Sequence, residues 1–154
     1  MGGLLSRKEY TCVFCDIAQE VKDSPDAASH RVLAQNDTLL LISDIKPVAK
    51  HHYLVVPQVH ISNPQTLKAQ DHMTLIEEMF EFGKNYLEAH EELDVCSNAL
   101  YGFHMPPFIS VDHLHLHIIC PASEMTFLHR QLFKPDSWYF VRPQQLIERL
   151  KSQQ

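Results

Sequence analysis

Three histidines stand two residues apart in one short stretch of the chain, at His113, His115 and His117. Side chains two residues apart on a β-strand share a face, so all three are expected to point the same way. The alternate positions are apolar and predict a buried face, with Leu114, Leu116 and Ile118. Three chance histidines on a solvated face are improbable, so the pattern indicates chemistry.

A single metal ion bound by all three histidines is disfavoured by geometry. Each two-residue step along a strand advances about 6.7 Å, which separates the outer Cα atoms by roughly 13 Å. Zn–N bonds are only about 2.1 Å long, so one ion cannot easily gather all three rings. The three histidines must therefore have different roles. The middle imidazole suits a nucleophile, with neighbours that fix its tautomer or bind an oxyanion.

The elements that must position these histidines predict an α+β domain with an antiparallel sheet. Alternation and turn signals predict five strands, over residues 30–35, 38–43, 53–56, 97–103 and 113–119. The clearest helix covers about 68–92, where apolar residues recur at helical spacing as a core stripe. Shorter helical segments are predicted near 12–18 and over 143–151.

Composition narrows the classes of function. The chain has 154 residues, 45% hydrophobic and 21% charged, which predicts one domain over 12–154 behind a flexible leader at 1–11. The net charge of −6 opposes sequence-independent binding to a phosphate backbone, so no nucleic-acid partner is expected. No apolar run approaches the ~20 residues that span a bilayer.

Two short motifs bear on cellular location. Two of the four cysteines form Cys12-x-x-Cys15, which in an intracellular protein is typical of metal or redox chemistry. We therefore expect the protein in the cytoplasm and the nucleus. The stretch from Gly2 to Ser6 also fits the N-myristoylation pattern, which is short and often matches by chance.

The motif His-φ-His-φ-His-φ-φ over 113–119 resembles the signature of the histidine triad (HIT) nucleotide hydrolases and transferases. The resemblance extends upstream to Ser-Asp-Ile-Lys-Pro at 43–47, to His-His-Tyr-Leu-Val-Val-Pro at 51–57 and to Cys-Val-Phe-Cys at 12–15. It covers about 12–121 and implies a HIT-like fold, with one long helix and short flanking helices against the five-stranded sheet.

The resemblance implies the catalytic roles. His115 becomes the nucleophile that attacks the α-phosphorus of an AMP ester or phosphoramidate, which gives a covalent His–AMP intermediate. His52 and His117 contact the phosphate oxygens and supply charge-assisted donors as negative charge builds on them. Ser110 donates to the leaving group. Considered alone, Ser110 is equally typical of a loop serine that caps a strand.

The resemblance also implies the nucleotide-binding set. Asp44 binds the ribose hydroxyls, although an Asp before Ile-Lys-Pro is by itself typical of a turn. The base and phosphate surroundings comprise Val13, Phe14, Ile17, Ile42, Ile45, Phe108 and Ile109, together with Ser110, His115 and His117. Without the resemblance, the first four of these would be assigned to the core.

A second site is implied by the family members that hold a structural zinc. The corresponding residues are Cys12, Cys15, His60 and His113, a closed tetrahedral donor set. This assignment sends His113 to the metal and leaves His115 for the phosphate. Packing cysteines and a redox dithiol remain the alternatives for Cys12 and Cys15. Catalysis itself would need no cofactor.

The implied function is a nucleoside phosphoramidase acting on adenosine 5′-phosphoramidates and acyl-adenylates, with purine nucleotides such as AMP as ligands and a homodimer as the assembly. The alternatives are a nucleotide-binding scaffold with vestigial catalysis, or a DNA-end or cap hydrolase of the same family. One departure bears on the leaving group. Many relatives carry an Asn and a Gly-Gly-Gln stretch before the serine, where this chain has Gly102 and Pro-Phe-Ile at 107–109.

Overall fold

The computed structural model of the protein describes residues 12–28 and 31–154. The predicted leader at 1–11 with its Gly2 motif, and residue 30 at the predicted start of the first strand, lie outside the described residues. The α+β class is confirmed, with an antiparallel sheet in the order β1-β2-β3-β5-β4-β6. Its strands are β1 (Val32–Gln35), β2 (Leu39–Ser43), β3 (His51–Pro57), β4 (Leu100–His104), β5 (Leu116–Cys120) and β6 (Phe140–Val141).

Helices flank the sheet. The predicted long helix is observed as α3, and the predicted turn near residue 12 is an eleven-residue helix, α1. The helices are α1 (Val13–Asp23), α2 (Pro25–Ala28), α3 (Ala69–His90), α4 (Leu93–Cys96), α5 (Phe127–Leu132) and α6 (Pro143–Lys151), with 3₁₀ turns at Pro64–Thr66 and Ala122–Glu124. Among the described residues, every helix is too short or too polar to cross a lipid bilayer.

Two strand predictions were wrong in detail. A sixth strand, β6, pairs Val141 with Phe103 of β4, a contact that two residues without periodicity do not predict. The fifth predicted strand, over 113–119, is observed as β5, which begins at Leu116 and not at residue 113. The ladder with β3 stops near Pro57, which has no N–H to donate, and the N–H of Leu114 bonds instead to the carbonyl of Ile61.

One face of the sheet packs on α3 and α6. Ile118 and Val55 from the sheet meet Ile76 and Met79 of α3 in the largest buried cluster. Helix α3 approaches closely because Gly83 has no side chain, since a Cβ there would lie 2.3 Å from Cδ1 of Ile118. The apolar face of the triad strand is therefore buried, as the alternation predicts, and the structure shows that it packs on the long helix.

Two separate segments of the chain cover the opposite face of the sheet. Helix α1 packs Phe14 and Ile17 on Ile42 and Leu54. Over β4 and β5 the cover comes from the segment after the triad, whose Phe133 and Phe140 form a cluster with Leu100, Ile119 and Met125. His52 and His117 lie between these two covers and are 3% and 5% exposed. The two histidines are thus almost fully buried where the covering segments meet.

Gly102 leaves room for the ring of Phe140, which packs on this part of β4. A Cβ built at Gly102 would lie 2.3 Å from Cζ of Phe140, whose ring is fully buried. An aromatic ring therefore lies directly against the backbone at Gly102.

We expect Gly102→Ala to lower the free energy of unfolding by about 1–3 kcal/mol, because the buried ring must move. Urea unfolding followed by circular dichroism measures it. The same substitution in a Phe140→Leu background should cost less, since the smaller side chain can yield. Equal costs in both backgrounds would contradict the explanation.

Candidate active site

His115 has a fixed tautomer. Its Nδ1 lies 2.7 Å from the carbonyl oxygen of His113, and a carbonyl only accepts. Nδ1 therefore carries the proton, and Nε2 keeps its lone pair. Burial lowers the pKa of His115, which is 7% exposed, so the ring is neutral near pH 7. A neutral imidazole with a free Nε2 lone pair is a nucleophile.

His52 and His117 form a directed pair beside it. The backbone N–H of Val48 donates to Nδ1 of His52 at 3.2 Å, so the proton of His52 is on Nε2. That N–H donates to Nδ1 of His117 at 2.9 Å, which leaves the proton of His117 on its own Nε2. This last N–H is buried and has no hydrogen-bond partner among the described residues. A buried, unpaired donor close to His115 suits an anionic oxygen.

The histidine cluster makes stability depend on pH. Burial lowers the pKa of His52 to about 4, against the opposing effect of Asp44. Burial also lowers the pKa values of His104, His113, His115 and His117. The folded state therefore favours the neutral rings, whereas the unfolded chain takes up protons below about pH 6.5.

We expect the free energy of unfolding to fall between pH 7 and pH 5, by at most about 1.4 kcal/mol per pH unit for each such histidine. The loss due to His52 should level off below its folded pKa of about 4. Urea unfolding at pH 7, 6 and 5 measures the slope, with a chelator present throughout so that acid release of a metal does not contribute. A flat profile would contradict the prediction.

A cavity of about 720 Å³ opens from His115 towards α1. Its volume lies within the range of small-molecule sites. It is lined by the predicted residues Val13, Phe14, Ile17, Ile42, Asp44, Ile45, Ser110, His115 and His117, and by Arg31, Ser43, Lys46, Leu54 and Val111. The ring of Phe14 stands edge-on to that of His115, with centroids 5.4 Å apart. The cavity therefore has an apolar wall that suits the base of a nucleotide and a polar wall that suits its ribose and phosphate.

The two carboxylate oxygens of Asp44 have different partners. Its Oδ1 accepts from the backbone N–H of Lys46 at 2.8 Å, which is the turn expected from the sequence. Its Oδ2 lies 3.4 Å from Nε2 of His52. The carboxylate thus lies at the edge of the cavity and next to the histidine pair.

Three predicted residues lie away from this cavity. His52 and Phe108 line a second cavity of about 580 Å³ on the other side of His117. Ile109 lines a small cleft near His113 and His115. The structure therefore brings His115 and His117 together with α1 and Asp44 around the first cavity, and leaves His52, Phe108 and Ile109 out of its lining.

The donor set Cys12, Cys15, His60 and His113 converges on one point, with ligand atoms all within 4.8 Å of one another. Nδ1 of His113 lies 3.2 Å from both Sγ of Cys12 and Nδ1 of His60. Sγ of Cys15 lies 3.3 Å from Nδ1 of His60. Bond lengths of about 2.1 and 2.3 Å in a tetrahedron give ligand separations of roughly 3.3–3.8 Å, so the set fits zinc.

A further contact prepares His113 for a metal. Its Nε2 lies 2.8 Å from the carbonyl oxygen of Pro57, so Nε2–H donates and the Nδ1 lone pair faces the two thiols. In a metal-bound histidine, the ring nitrogen that does not bind the metal typically donates to a carbonyl or carboxylate, which fixes the ring. The geometry thus directs Nδ1 of His113 into the donor set, whereas Nε2 of His115 faces the cavity.

This chain is similar to known proteins in both sequence and fold. Residues 11–133 match the sequence model of a family described as scavenger mRNA decapping enzyme C-term binding. Adenosine 5′-monophosphoramidase HINT3 of Xenopus tropicalis is 38% identical over 144 residues, or 94% of this chain and 90% of that relative. A histidine triad protein from Clostridium difficile has a TM-score of 0.60 at 22% identity, over 71% of this chain and 89% of that one.

The chain belongs to the histidine triad family.

Another solved structure, the aprataxin ortholog Hnt3 in complex with DNA, has a TM-score of 0.61 at 22% identity. It covers 84% of this chain and 72% of that one. At this identity the likeness concerns the fold alone, and the fold therefore does not exclude a nucleic-acid ligand.

Sequence reasoning missed several residues of this histidine triad site. Lys46 lines both cavities, and its place next to Asp44 could have indicated it. His104 lies on β4 with its ring centroid 5.0 Å from that of His117. Alternation from Gly102 places His104 on the site face once the strand is known. Phe133 packs on His52 and His117, and no local signal indicates it.

Proposed function

We propose that the protein hydrolyses the phosphorus–nitrogen bond of adenosine 5′-phosphoramidates and releases AMP. One observation carries the proposal: the free Nε2 lone pair of His115 and the unpaired N–H of His117 lie together at the end of a nucleotide-sized cavity. The name of the Xenopus tropicalis relative, an adenosine 5′-monophosphoramidase, supports the same reaction.

The reaction proceeds in two displacements. Nε2 of His115 forms a bond to the α-phosphorus, the P–N bond of the substrate breaks, and the nitrogen takes up a proton from solvent water as the amine leaves. Water then attacks the phosphorus, the bond to Nε2 breaks, and AMP leaves as the water loses a proton. His117 donates to a phosphate oxygen in both steps, and His52 holds the tautomer of His117. Ser110 donates to the leaving group, and Asp44 accepts from the ribose.

The same chemistry acts on acyl-adenylates, where the bond that breaks is P–O. The apolar wall formed by Val13, Phe14, Ile17 and Ile42 encloses the purine by contact and shape. All of the reacting groups are side chains, so the proposal requires no cofactor in the reaction itself.

Zinc is proposed for the group of Cys12, Cys15, His60 and His113. The close approach of the four ligand atoms supports it. When bound, zinc would supply structure rather than chemistry, because it would tie the start of α1 to the chain segment that leads into the triad.

A homodimer is also proposed, from the family resemblance, and light scattering of the purified protein tests it. Nucleic-acid ends are a less favoured substrate because the net charge of −6 opposes phosphate backbones. A structural relative, Hnt3, is nevertheless found in complex with DNA.

The deciding experiment is hydrolysis of adenosine 5′-phosphoramidate by the wild-type protein with EDTA present. We expect AMP and ammonia in equal amounts, with turnover that persists in the presence of EDTA. Binding of AMP without any turnover would overturn the proposal in favour of a nucleotide-binding scaffold. Release of AMP from an adenylated DNA end, but not from the phosphoramidate, would favour the DNA-end reaction.

A further inference from the structure

Lys46 lies where the two larger cavities meet. It lines the cavity beside α1 and also the cavity of about 580 Å³ on the other side of His117. The other described residues that line both are Asp44, Ser110 and His117. Since His117 donates to a phosphate oxygen in the proposed reaction, the phosphate is expected at this junction. Lys46 therefore borders the reacting group, although the proposed reaction gives it no role.

The backbone holds Lys46 at this place. Its N–H donates to Oδ1 of Asp44 at 2.8 Å, and Pro47 follows with a φ angle fixed by its ring. The side chain of Lys46 is exposed and forms no ion pair with another described residue. Its ammonium group, at the end of a flexible four-carbon stem, can therefore turn towards an anion at the junction.

The histidines of the site offer hydrogen bonds but no positive charge. Nδ1 of His52 accepts from the N–H of Val48, and Nδ1 of His117 accepts from His52. A ring nitrogen that accepts keeps its lone pair, so both imidazoles are neutral. His115 must also be neutral, because its Nε2 lone pair attacks the phosphorus. The N–H of His117 therefore meets the phosphate as a dipole without a net charge.

The fixed charges around the two cavities are few. Among the described residues that line them, the acidic and basic side chains other than histidine are Arg31, Asp44 and Lys46. Arg31 lines only the first cavity, and its Nη1 lies 3.8 Å from a carboxylate oxygen of Glu20. Asp44 lines both cavities and repels an anion. Without Lys46, the phosphate would meet a carboxylate and neutral rings in a chain of net charge −6.

We propose that Lys46 is a further catalytic residue, whose ammonium group binds a non-bridging oxygen of the α-phosphate and stabilises the charge on the phosphate oxygens in the transition state. The inference rests on the proposed function and adds a cation to its neutral donors. A hydrogen bond between an ammonium and an anionic oxygen is roughly twice as strong as one between neutral groups. Lys46 exchanges no proton with the substrate, so the bonds that form and break are unchanged.

The first test compares the binding of AMP and adenosine, which differ only in the phosphate. Lys46→Met removes the charge and keeps an unbranched side chain. We expect it to raise the Kd for AMP about tenfold, equivalent to about 1.4 kcal/mol, and to change the Kd for adenosine less than about twofold. Isothermal titration calorimetry measures both. Equal losses for the two ligands would show a structural role and overturn the inference, as would an unchanged Kd for AMP.

The second test measures hydrolysis of adenosine 5′-phosphoramidate. In Lys46→Met we expect kcat/KM to fall at least about tenfold, with a lower kcat, because an electrostatic donor acts on charge in the transition state. Lys46→Arg should retain kcat/KM within about fivefold of the wild-type value, since a guanidinium group also supplies charged donors. Equal losses in the Met and Arg variants would contradict a role for the charge.

A matched control lies four residues further along the chain. Lys50 is also exposed, but it lines neither of the two cavities. Lys50→Met removes the same charge from the chain as Lys46→Met and should keep the wild-type values of kcat/KM and of the Kd for AMP. Equal values in the two variants would show that only the net charge matters and would overturn the inference.

Ionic strength provides a further readout. The Debye length falls from about 10 Å at 0.1 M salt to about 3 Å at 1 M, so salt weakens the attraction between an exposed ammonium and a phosphate. The Kd for AMP should therefore rise more steeply with salt in the wild type than in Lys46→Met, and parallel curves would overturn the inference. If the wild type fails to hydrolyse the phosphoramidate, the proposed function is overturned, and the comparison of AMP with adenosine still decides whether Lys46 binds the phosphate.

Discussion

His115→Ala is expected to lower the turnover of adenosine 5′-phosphoramidate by a factor on the order of 10³ or more, the scale on which loss of a nucleophile acts. The substitution removes the lone pair on Nε2 that attacks phosphorus, and neither His52 nor His117 can replace it. In both of those rings Nδ1 accepts a hydrogen bond and the remaining nitrogen is a donor. Steady-state release of AMP measures the loss.

Nucleotide affinity should survive this change. The base contacts come from α1 and the ribose contact from Asp44, so we expect the Kd for AMP to stay within about threefold of the wild-type value, less than about 1 kcal/mol. Isothermal titration calorimetry measures it. A matched control is His90→Ala, which removes an exposed histidine at the end of α3 and should change neither quantity.

Two results would distinguish the mechanism from its alternatives. Rapid quenching of the wild-type reaction should trap AMP on His115, where mass spectrometry of peptides locates it. A His115→Ala protein that kept more than a tenth of wild-type turnover would refute nucleophilic catalysis by this residue.

Removal of a metal ligand is the second large effect that we expect. Wild-type protein purified without tags or added metal should hold about one equivalent of zinc, and Cys15→Ser should hold less than about a tenth. Burial and the neighbouring Cys12 raise the pKa of the Cys15 thiol to about 11, so a metal that binds there must displace its proton. Elemental analysis gives the stoichiometry. Structural zinc contributes directly to folding, so the melting temperature should also fall.

The same variant should weaken nucleotide binding. Helix α1 starts directly after Cys12 and supplies Val13, Phe14 and Ile17 to the nucleotide cavity. Loss of the metal would leave the start of this helix less firmly held, so KM should rise more than kcat falls.

Cys96→Ser is the matched control for the metal, because Cys96 ends α4 and lies outside the donor set. It should retain the wild-type zinc content. Wild-type protein with less than a tenth of an equivalent of zinc would refute the metal proposal. The closely spaced cysteines would then be packing residues or a redox pair.

The sequence by itself determined that the three triad histidines cannot all bind one metal ion. That conclusion follows from local quantities alone, namely the rise along a strand and the length of a Zn–N bond. Strict alternation also predicted the buried positions Leu114, Leu116 and Ile118, which are at most 1% exposed. Period-two and helical patterns arise from neighbours in the chain, which is why the α+β class and the long helix could be predicted from the sequence.

Only the tertiary structure decided the tautomers and the second cavity. The proton of His52 is fixed by the N–H of Val48 and that of His113 by the carbonyl of Pro57, and no spacing rule encodes either contact. Phe133 and Tyr139 reach the histidines because β6 pairs with β4, which lies much earlier in the chain. Contacts between distant segments depend on how whole elements pack. They set the direction of each hydrogen bond and the shape of the space beside the phosphate, and local periodicity carries no information about either.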